Sequence, residues 1–260
     1  LFCVLRKVIG GKALVRTRGD QRLPKGNLPN LILHTRLADA VVATNSVMAR
    51  HFAEKMRVPA ERLHMILGGV DTERFRFEPE GRAEVRARYG FTDDECVVGL
   101  LGRFDLVKGQ RETIAALAKL VGEGVRNIRL LLLGFSTATL QEEVEAWIRE
   151  AGMERYVTIT GKVPDVTACL SALDVGVVAS LWSETIARAA LEIMACERPL
   201  VSTSVGVMPD LLPASALVAP GDVDALAGVL RRAATDEAWR RGLAGHCPER
   251  ILSLRDKNFL

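Results

Sequence analysis

The sequence predicts an α/β fold built on a doubly wound parallel sheet. Strand-like and helix-like segments alternate from residue 13 onward, which is the order that parallel sheets with helical crossovers require. The segment Ile128–Leu133 is apolar at nearly every position, as in a strand that is buried on both faces. Aromatic residues make up only 5% of the 260 residues, which argues against an all-β sandwich.

The first 70 residues predict an incomplete α/β domain. Strand signals alternate there with two helix signals, the second of which is amphipathic. The sequence opens on Leu1, and three strands are about half of what a doubly wound domain of roughly 150 residues needs. We therefore expect much of this domain to lie outside the sequence. The predicted strands are Ala13–Thr17, Asp39–Thr44 and Arg62–Leu67, and the predicted helices are Leu28–Leu37 and Ser46–Met56.

Residues 71–93 are predicted to connect this domain to a second one at 94–260. The connection is rich in charged residues, contains Pro79 and Gly81, and lacks a long apolar run. In the second domain we expect six strands separated by helices. The predicted strands are Cys96–Leu101, Ile128–Leu133, Val157–Ile159, Val175–Val178, Leu200–Thr203 and Ala216–Val218, and the predicted helices are Gln110–Leu120, Leu140–Glu150, Val166–Ala172, Thr185–Ala195 and Asp222–Ala234.

Charge and cysteine usage narrow the class of protein. The net charge is +3, but residues 1–76 hold fourteen Lys and Arg against six Asp and Glu, so the acidic excess lies in the rest of the chain. A basic region can face phosphate groups or lipid headgroups, or it can be an ordinary solvated face. The five cysteines are dispersed without a C-x-x-C pair, which fits reduced thiols in the cytoplasm. No segment reaches the ~20 apolar residues of a membrane-spanning helix.

The loop that follows Cys96–Leu101 combines glycines with two cations in the sequence GRFDLVKG (102–109). Ligands of doubly wound sheets bind at the carboxyl ends of the strands, where Arg103 and Lys108 could converge on a diphosphate. We expect Gly102 to allow a tight turn and Gly109 to free the start of the next helix. The alternative is an ordinary loop with solvated charges. Neither a Walker phosphate loop nor a G-x-G-x-x-G dinucleotide motif is present.

The loop that follows Val175–Val178 leads into a helix and carries the first of two spaced carboxylates. Ser183 or Glu184 could cap that helix, and the backbone N–H groups of residues 186–188 would then form an anion site. Glu192 lies eight residues after Glu184, about 12 Å further along the helix. Its apolar neighbours make a buried carboxylate costly unless it has hydrogen-bond partners. A ribose diol would serve, and so would a nearby backbone group or Thr hydroxyl.

Two segments resemble signatures of family 4 glycosyltransferases of the GT-B fold. GRFDLVKG (102–109) is similar to the G-R-x-x-x-x-K-G loop of that family, and SETIARAALEIMAC (183–196) is similar to its E-x7-E motif. GGVDTERF (68–75) resembles the interdomain crossover, and GKVPDV (161–166) and VGVMPDLL (205–212) resemble two further donor-site loops. The resemblance covers most of the chain. It implies an incomplete acceptor-side domain at 1–70 and a Rossmann-like nucleotide-sugar-binding domain at 94–260.

The resemblance also implies a retaining glycosyltransferase that uses a UDP-, GDP- or ADP-linked sugar and no metal or other cofactor. Arg103 and Lys108 would hold the donor diphosphate and stabilise the leaving group. Glu192 would bind the ribose, and Glu184 would hold the transferred sugar together with backbone groups of residues 185–188. The predicted catalytic residues are Arg103, Lys108 and Glu184, and the predicted donor-binding residues are Gly102, Val163, Thr185, Ile186, Ala187, Arg188 and Glu192.

Two positions depart from the family pattern. Thr185-Ile186-Ala187 stands where the family usually has Gly-Phe-Gly, and Gly206-Val207 stands where it usually has a Gly pair. The glycines let the backbone approach the sugar, so the first departure bears on sugar specificity and activity. Asp222-Val223-Asp224 resembles a D-x-D metal motif, but it opens a helix, where an Asp cap is the ordinary role. The four histidines show no metal-ligand spacing.

Three functions remain open on the sequence. The first is a transferase in lipopolysaccharide or exopolysaccharide assembly, acting on a glycan or lipid-linked acceptor in the cytoplasm, with peripheral contact to an anionic membrane. The second is a sugar-nucleotide epimerase or a phosphorylase of similar fold; an epimerase would need further acidic and His residues. The third is a nucleotide-binding module without chemistry. We expect no nucleic-acid partner, and we expect these 260 residues to bind nucleotide but transfer sugar poorly alone.

Overall fold

The computed structural model describes residues 13–19 and 22–254, which form two parallel sheets. The smaller sheet has the strand order β1-β2-β3, and the larger has the order β6-β5-β4-β7-β8-β9. This arrangement confirms the predicted α/β class and the six-stranded doubly wound sheet. The strands are β1 (Val15–Arg18), β2 (Ala40–Ala43), β3 (Leu63–Met65), β4 (Cys96–Leu101), β5 (Ile128–Leu133), β6 (Val157–Ile159), β7 (Val175–Val178), β8 (Leu200–Thr203) and β9 (Leu217–Val218).

Helices lie between the strands and cover the sheets. A π-helical turn, Leu33–Leu37, continues the first helix. The helices are α1 (Leu28–Ile32), α2 (Ser46–Glu54), α3 (Pro79–Tyr89), α4 (Gln110–Gly122), α5 (Gln141–Glu150), α6 (Val166–Ser171), α7 (Arg188–Ala195), α8 (Met208–Leu211), α9 (Val223–Thr235) and α10 (Glu237–Leu252).

The strands of the larger sheet follow the sequence pattern closely. Five of its six strands have the predicted bounds, because each is a short apolar run between charged residues, Gly or Pro. Strand β4 pairs with β5 along its whole length, from Cys96 opposite Ile128 to Leu101 opposite Leu133. The predicted apolar face of α4, formed by Ile114, Leu117 and Val121, is buried against this sheet. Helix α10 was not expected, since its residues show little hydrophobic periodicity.

Residues 71–93, predicted as a connection, contain a helix that packs on the larger domain. Pro79 occupies the first turn of α3, where its missing N–H has no helical partner to lose. Gly90 ends the helix in a left-handed conformation, with φ of 70°. Phe75 and Val85 belong to the hydrophobic core beneath the larger sheet. The limits of the two domains at 70 and 94 stay a prediction.

An ion-pair cluster fastens α3 to the start of β7. Arg82 donates hydrogen bonds to the carbonyl oxygens of Ser171, Ala172 and Leu173, where α6 ends. The same guanidinium lies 2.7 Å from Asp174 Oδ1, and Arg86 Nη1 lies 3.0 Å from Asp174 Oδ2. Because Arg86 is buried, these contacts satisfy a charge that the core would otherwise exclude.

The smaller sheet packs its apolar face against α2. Val41, Met48 and Phe52 are buried in this core. His34 is buried beside this core, with its ring centroid 5.1 Å from that of Phe52. Burial lowers the pKa of His34, so its imidazole is neutral at pH 7.

Four of the five cysteines are buried free thiols, as expected for small apolar side chains; they are Cys96, Cys169, Cys196 and Cys247. The opening segment LFCVLRKVIGG (1–11) predicts the end of a helix and a Gly-Gly turn. This segment, which includes Cys3, lies outside the described residues. No helix among residues 13–19 and 22–254 is both long and apolar enough to cross a membrane.

Candidate functional site

The candidate site lies where the winding of the larger sheet reverses. Strands β4 and β7 are neighbours; β5 and β6 extend the sheet on one side, and β8 and β9 extend it on the other. Such a reversal opens a crevice at the carboxyl ends of the two central strands. The loops 102–109 and 179–187 leave β4 and β7 at this point, and the N–H of Leu181 joins them by a hydrogen bond of 2.8 Å to the Val107 carbonyl oxygen.

The first loop holds its cations in a defined turn. Asp105 accepts a hydrogen bond from the N–H of Val107, and its second oxygen lies 2.9 Å from Arg103 Nη2. Arg103 is nevertheless more than half exposed, with 56% of its side-chain surface open. Asp105 therefore orients a guanidinium that stays free to bind a ligand in the crevice.

The glycines of this loop differ in what they do. Gly109 has φ of 70°, and a Cβ there would lie 2.1 Å from the Ala179 carbonyl oxygen, so the predicted need for glycine is confirmed. Gly102 has no such need, because a Cβ there would meet only the Lys108 side chain at 3.7 Å. Gly102 also has no positive φ, so the tight turn expected there does not explain a glycine. A close backbone approach occurs instead at Gly134, whose Cβ would lie 2.1 Å from the Gly102 carbonyl oxygen.

Lys108 and Glu184 form an ion pair across the two loops. Lys108 Nζ lies 2.5 Å from Glu184 Oε1, and the Ser180 hydroxyl donates to the same oxygen at 2.5 Å. Only 8% of the Glu184 side chain is exposed. The alternative that Glu184 or Ser183 caps the next helix is wrong, since Ala187 holds the cap position.

Helix α7 begins later than predicted and has an open N-terminus. Ala187 adopts a left-handed conformation, with φ of 55°, so the helix starts at Arg188 instead of Thr185. No side chain caps this end. The N–H groups of the first helical turn, at residues 188–190, therefore lack intrahelical partners and can bind an anion. The N–H groups that can bind an anion are thus those of residues 188–190, two residues later than the expected 186–188.

Glu192 presents a carboxylate from the second turn of α7. Burial raises its pKa, and the nearby charges of Arg188 and Arg74 partly offset that effect. No hydrogen bond from a described residue contributes to the shift. The backbone group or Thr hydroxyl that would have explained a structural carboxylate is therefore not found in this part of the chain.

One cavity of about 570 Å³ brings together all the predicted site residues except Val163. Val163 lines an adjoining apolar pocket of about 260 Å³, which shares Gly102, Arg103 and Phe135 with the first cavity. Sequence reasoning missed Arg74, Phe75 and Phe135. Arg74 stands in the crossover segment, and Phe135 follows the strand next to β4, so position at the sheet edge could have indicated both.

Gly206 explains one departure from the family pattern. Its φ is 57°, and a Cβ there would lie 1.8 Å from the Glu184 carbonyl oxygen, so no other residue fits. The N–H of Val207 donates to that same oxygen at 2.8 Å. The Val207 side chain is buried away from the crevice, so a second glycine is not required there.

The D-x-D sequence has a structural role. Asp222 accepts a hydrogen bond of 2.8 Å from the N–H of Ala225 and so caps α9, as expected. Asp224 forms an ion pair with Lys119 of α4.

A comparison with known families identifies the chain. The sequence pattern of the family described as glycosyl transferases group 1 matches residues 95–236, which is more than half of the chain. The chain belongs to this family. The matched part contains every residue of the predicted donor site, and it begins at β4 and ends with α9.

The chain is also similar to individual curated proteins. A D-inositol 3-phosphate glycosyltransferase of Segniliparus rotundus is 27% identical over 223 residues, covering 84% of this chain and 46% of that protein. The putative glycosyltransferase EpsD of Bacillus subtilis is 29% identical over 153 residues, covering 58% of this chain and 39% of its own length. The chain thus spans about half the length, or less, of the curated relatives that it matches.

Solved structures confirm the GT-B fold. The crystal structure of Anabaena Alr3699/HepE in complex with UDP superposes with a TM-score of 0.84 at 22% identity, covering 98% of this chain and 71% of that one. WaaG, a glycosyltransferase involved in lipopolysaccharide biosynthesis, superposes with a TM-score of 0.74 at 18% identity, covering 99% and 79% of the two chains. At these identities the likeness establishes the fold.

Proposed function

We propose that this chain binds a nucleoside-diphosphate sugar in the crevice and forms the donor side of a retaining glycosyltransferase that needs no metal ion. The observation that carries the proposal is the convergence of two cations, two carboxylates and an open helix N-terminus on one cavity. The cations are Arg103 and Lys108, and the carboxylates are Glu184 and Glu192. Retention of the anomeric configuration follows from the family resemblance.

The cationic side of the crevice suits a departing diphosphate. When the bond between the sugar and the diphosphate breaks, negative charge grows on the leaving phosphate oxygens. Arg103, Lys108 and the N–H groups that open α7 are fixed donors that stabilise this charge without rearrangement. A divalent metal ion supplies the same stabilisation in other enzymes, so these groups would make one unnecessary here.

The remaining groups suit the nucleoside. The pocket beside Val163 has Leu101, Leu133 and Phe135 on its walls and fits a flat, partly apolar base. Lys162 Nζ lies 4.8 Å from the centre of the Phe135 ring and closes one side of that pocket. The carboxylate of Glu192 has no hydrogen bond from a described residue. It can therefore accept hydrogen bonds from both hydroxyls of a ribose. The UDP of the HepE complex supports a uridine donor.

The family resemblance implies that the acceptor binds on the side of the smaller domain. The name of the Segniliparus relative supports a hydroxyl-bearing, phosphorylated acceptor. The basic character of residues 1–76 supports an anionic acceptor, or peripheral contact with an anionic membrane from the cytoplasm. These features also suit the assembly of lipopolysaccharide or exopolysaccharide.

A nucleotide-binding module without transfer is the second candidate. Thr185 and the left-handed Ala187 replace the two glycines that would let a sugar approach the backbone. Hydrolysis of a UDP-linked sugar by the 260-residue chain would support the transferase, and binding without hydrolysis would support the module.

Titration calorimetry with UDP, GDP and ADP in the presence of EDTA tests donor binding. We expect UDP to bind, and Arg103→Ala and Lys108→Ala each to weaken that binding by about 1.5–3 kcal/mol, because each removes a charge-assisted hydrogen bond. Lys119→Ala is the matched control, since Lys119 pairs with Asp224 outside the crevice. Unchanged affinity in both crevice variants would refute the proposed site.

A further inference from the structure

We infer that Asp210 couples the donor crevice to the smaller domain and acts as a positioning residue for glycosyl transfer. Its carboxylate reaches the N-terminus of a helix in the smaller domain, while the backbone segment that carries it rests on Glu184. The inference rests on the proposed function, because it makes nucleotide binding the event that Asp210 transmits.

The first contact joins the two domains. Asp210 Oδ2 accepts a hydrogen bond of 2.8 Å from the N–H of Ser46, a residue 164 positions away in the chain. Ser46 opens α2, which packs on the smaller sheet. The helix cap, Asn45, accepts from the N–H of Met48 and leaves the Ser46 N–H without an intrahelical partner. A carboxylate at this end also interacts favourably with the helix dipole.

The second contact joins Asp210 to the donor loop. Val207, three residues before Asp210, donates its N–H to the Glu184 carbonyl oxygen at 2.8 Å, and Gly206 touches the same carbonyl. The N–H of Asp210 in turn donates to the Val207 carbonyl oxygen at 2.9 Å. A short hydrogen-bonded path therefore leads from the backbone of Glu184 to the carboxylate of Asp210.

A third contact fixes the backbone of Asp210 to the larger domain. Arg250 of α10 donates from Nη2 to the Asp210 carbonyl oxygen at 2.6 Å. The main chain of Asp210 thus belongs to the larger domain, while its side chain reaches the smaller one. Any shift of the Glu184 loop on nucleotide binding changes where this carboxylate lies and hence where α2 is held.

The path has a thermodynamic consequence that separates it from a simple helix cap. If nucleotide binding changes the strength of the contact between Asp210 and Ser46, then that contact changes nucleotide affinity by the same factor. A simple cap would stabilise α2 equally with and without nucleotide. The deciding measurement is therefore how strongly the Ser46 N–H responds to UDP.

Hydrogen exchange of the Ser46 amide, followed by NMR with and without UDP, tests the coupling. In the unaltered chain we expect UDP to slow this exchange about fivefold or more. In Asp210→Ala we expect faster exchange in the free protein, an effect of UDP smaller than about twofold, and UDP binding weaker by about the same factor of five. Asp210→Asn keeps an oxygen that can accept from Ser46, so it should fall between these two results.

Asp222→Ala is the matched control. Asp222 caps α9 of the same domain by an equivalent contact and has no part in the path. It should leave the UDP response of Ser46 intact. A melting curve shows whether Asp210→Ala folds. If it does not, Asp210→Asn is the test variant. A full effect of UDP on Ser46 exchange in Asp210→Asn would show that the negative charge of Asp210 plays no part.

Two failures can be told apart. If the unaltered chain binds UDP but Ser46 exchange does not respond, or if Asp210→Ala responds as fully as the unaltered chain, the coupling is wrong and the proposed function stands. If the unaltered chain binds none of UDP, GDP and ADP, the proposed function is wrong and the coupling falls with it.

Discussion

The two loops of the crevice make the same turn with different residues. Each passes from a central strand to a helix whose cap residue is left-handed, and neither helix has a side-chain cap. Before α4 the residue is Gly109, with φ of 70°; before α7 it is Ala187, with φ of 55°. A Cβ at residue 109 would collide with the Ala179 carbonyl oxygen, whereas the Cβ of Ala187 is accommodated.

This difference separates two reasons for a glycine. At residue 109 both the backbone angle and the lack of space demand it, because the loops touch there. At residue 187 only the backbone angle favours it, and an alanine can hold the turn at a cost of about 1–2 kcal/mol. The second loop is therefore less stable than it would be with a glycine at residue 187, and it has a methyl group beside the donor site instead.

Substitution of Gly109 should give the largest effect. Gly109→Ala adds backbone strain to a collision with a carbonyl group that cannot move without separating the loops, so we expect a loss of roughly 3 kcal/mol or more in unfolding free energy. Gly90→Ala is the matched control, since Gly90 has the same φ but no atom within 4 Å of a built Cβ. It should cost about 1 kcal/mol. Equal losses by urea denaturation would show that space plays no part.

Substitution of Glu192 tests the charge balance of the same two loops. Arg103 and Lys108 of the first loop each form an ion pair with a carboxylate. Glu192 of α7, in contrast, has no hydrogen bond from a described residue. We expect Glu192→Gln to weaken UDP binding by about 1.5 kcal/mol, because a ribose hydroxyl then loses a charged acceptor. The same variant should melt about 2 °C higher at pH 7, since burial of the charge costs stability.

The gain in stability of Glu192→Gln should depend on pH in one direction. Burial raises the pKa of Glu192 above its ordinary value of 4.5, so the folded chain takes up a proton at a higher pH than the unfolded chain does. Stability from this group is fully present below about pH 4.5 and is lost as the pH rises through the folded pKa. The gain of Glu192→Gln should therefore shrink from pH 7 to pH 5, and a gain that grows toward low pH would contradict the burial.

Substitution of Ala187 should give the smallest effect. Ala187→Gly removes the left-handed strain but adds freedom to the unfolded chain, so we expect a net gain of about 0.5 kcal/mol in unfolding free energy. Glu197→Gly is the control, because exposed Glu197 has φ of 58° outside the crevice. A similar gain in both would confirm backbone strain, and a loss only at residue 187 would mean that the alanine side chain supports the loop.

Most of the larger sheet could be predicted from the sequence, because its strands are continuous apolar runs with no competing pattern. The site residues could be located because cations and carboxylates at strand ends must meet at one edge of a parallel sheet. The start of α7 could not be predicted, since it depends on one left-handed alanine. Helix α10 was missed because its sequence as a whole shows little hydrophobic periodicity.

Contacts between distant segments explain the rest of what was missed. Arg74 lines the crevice beside Phe75, which packs into the core of the larger domain far along the chain from the site loops. The pairing of Lys108 with Glu184 joins residues 76 positions apart, and no spacing rule links them. The tight turn predicted at Gly102 does not need a glycine, and the position that does need one is Gly134, on the loop of a different strand, where a Cβ would meet the Gly102 carbonyl oxygen.

The ion pairs between α3 and Asp174 also hold the segment between the two domains against the larger one. Val70 is already tied to the larger domain through a hydrogen bond to the Leu254 carbonyl oxygen, and Phe75 lies in its core. The backbone is therefore held to the larger domain from Val70 onward, and Gly68-Gly69 stand directly before that point, with Gly68 against Ile186 at the crevice. A rotation of the smaller domain about these two glycines would move its far end by a long arc and the groups beside the donor very little.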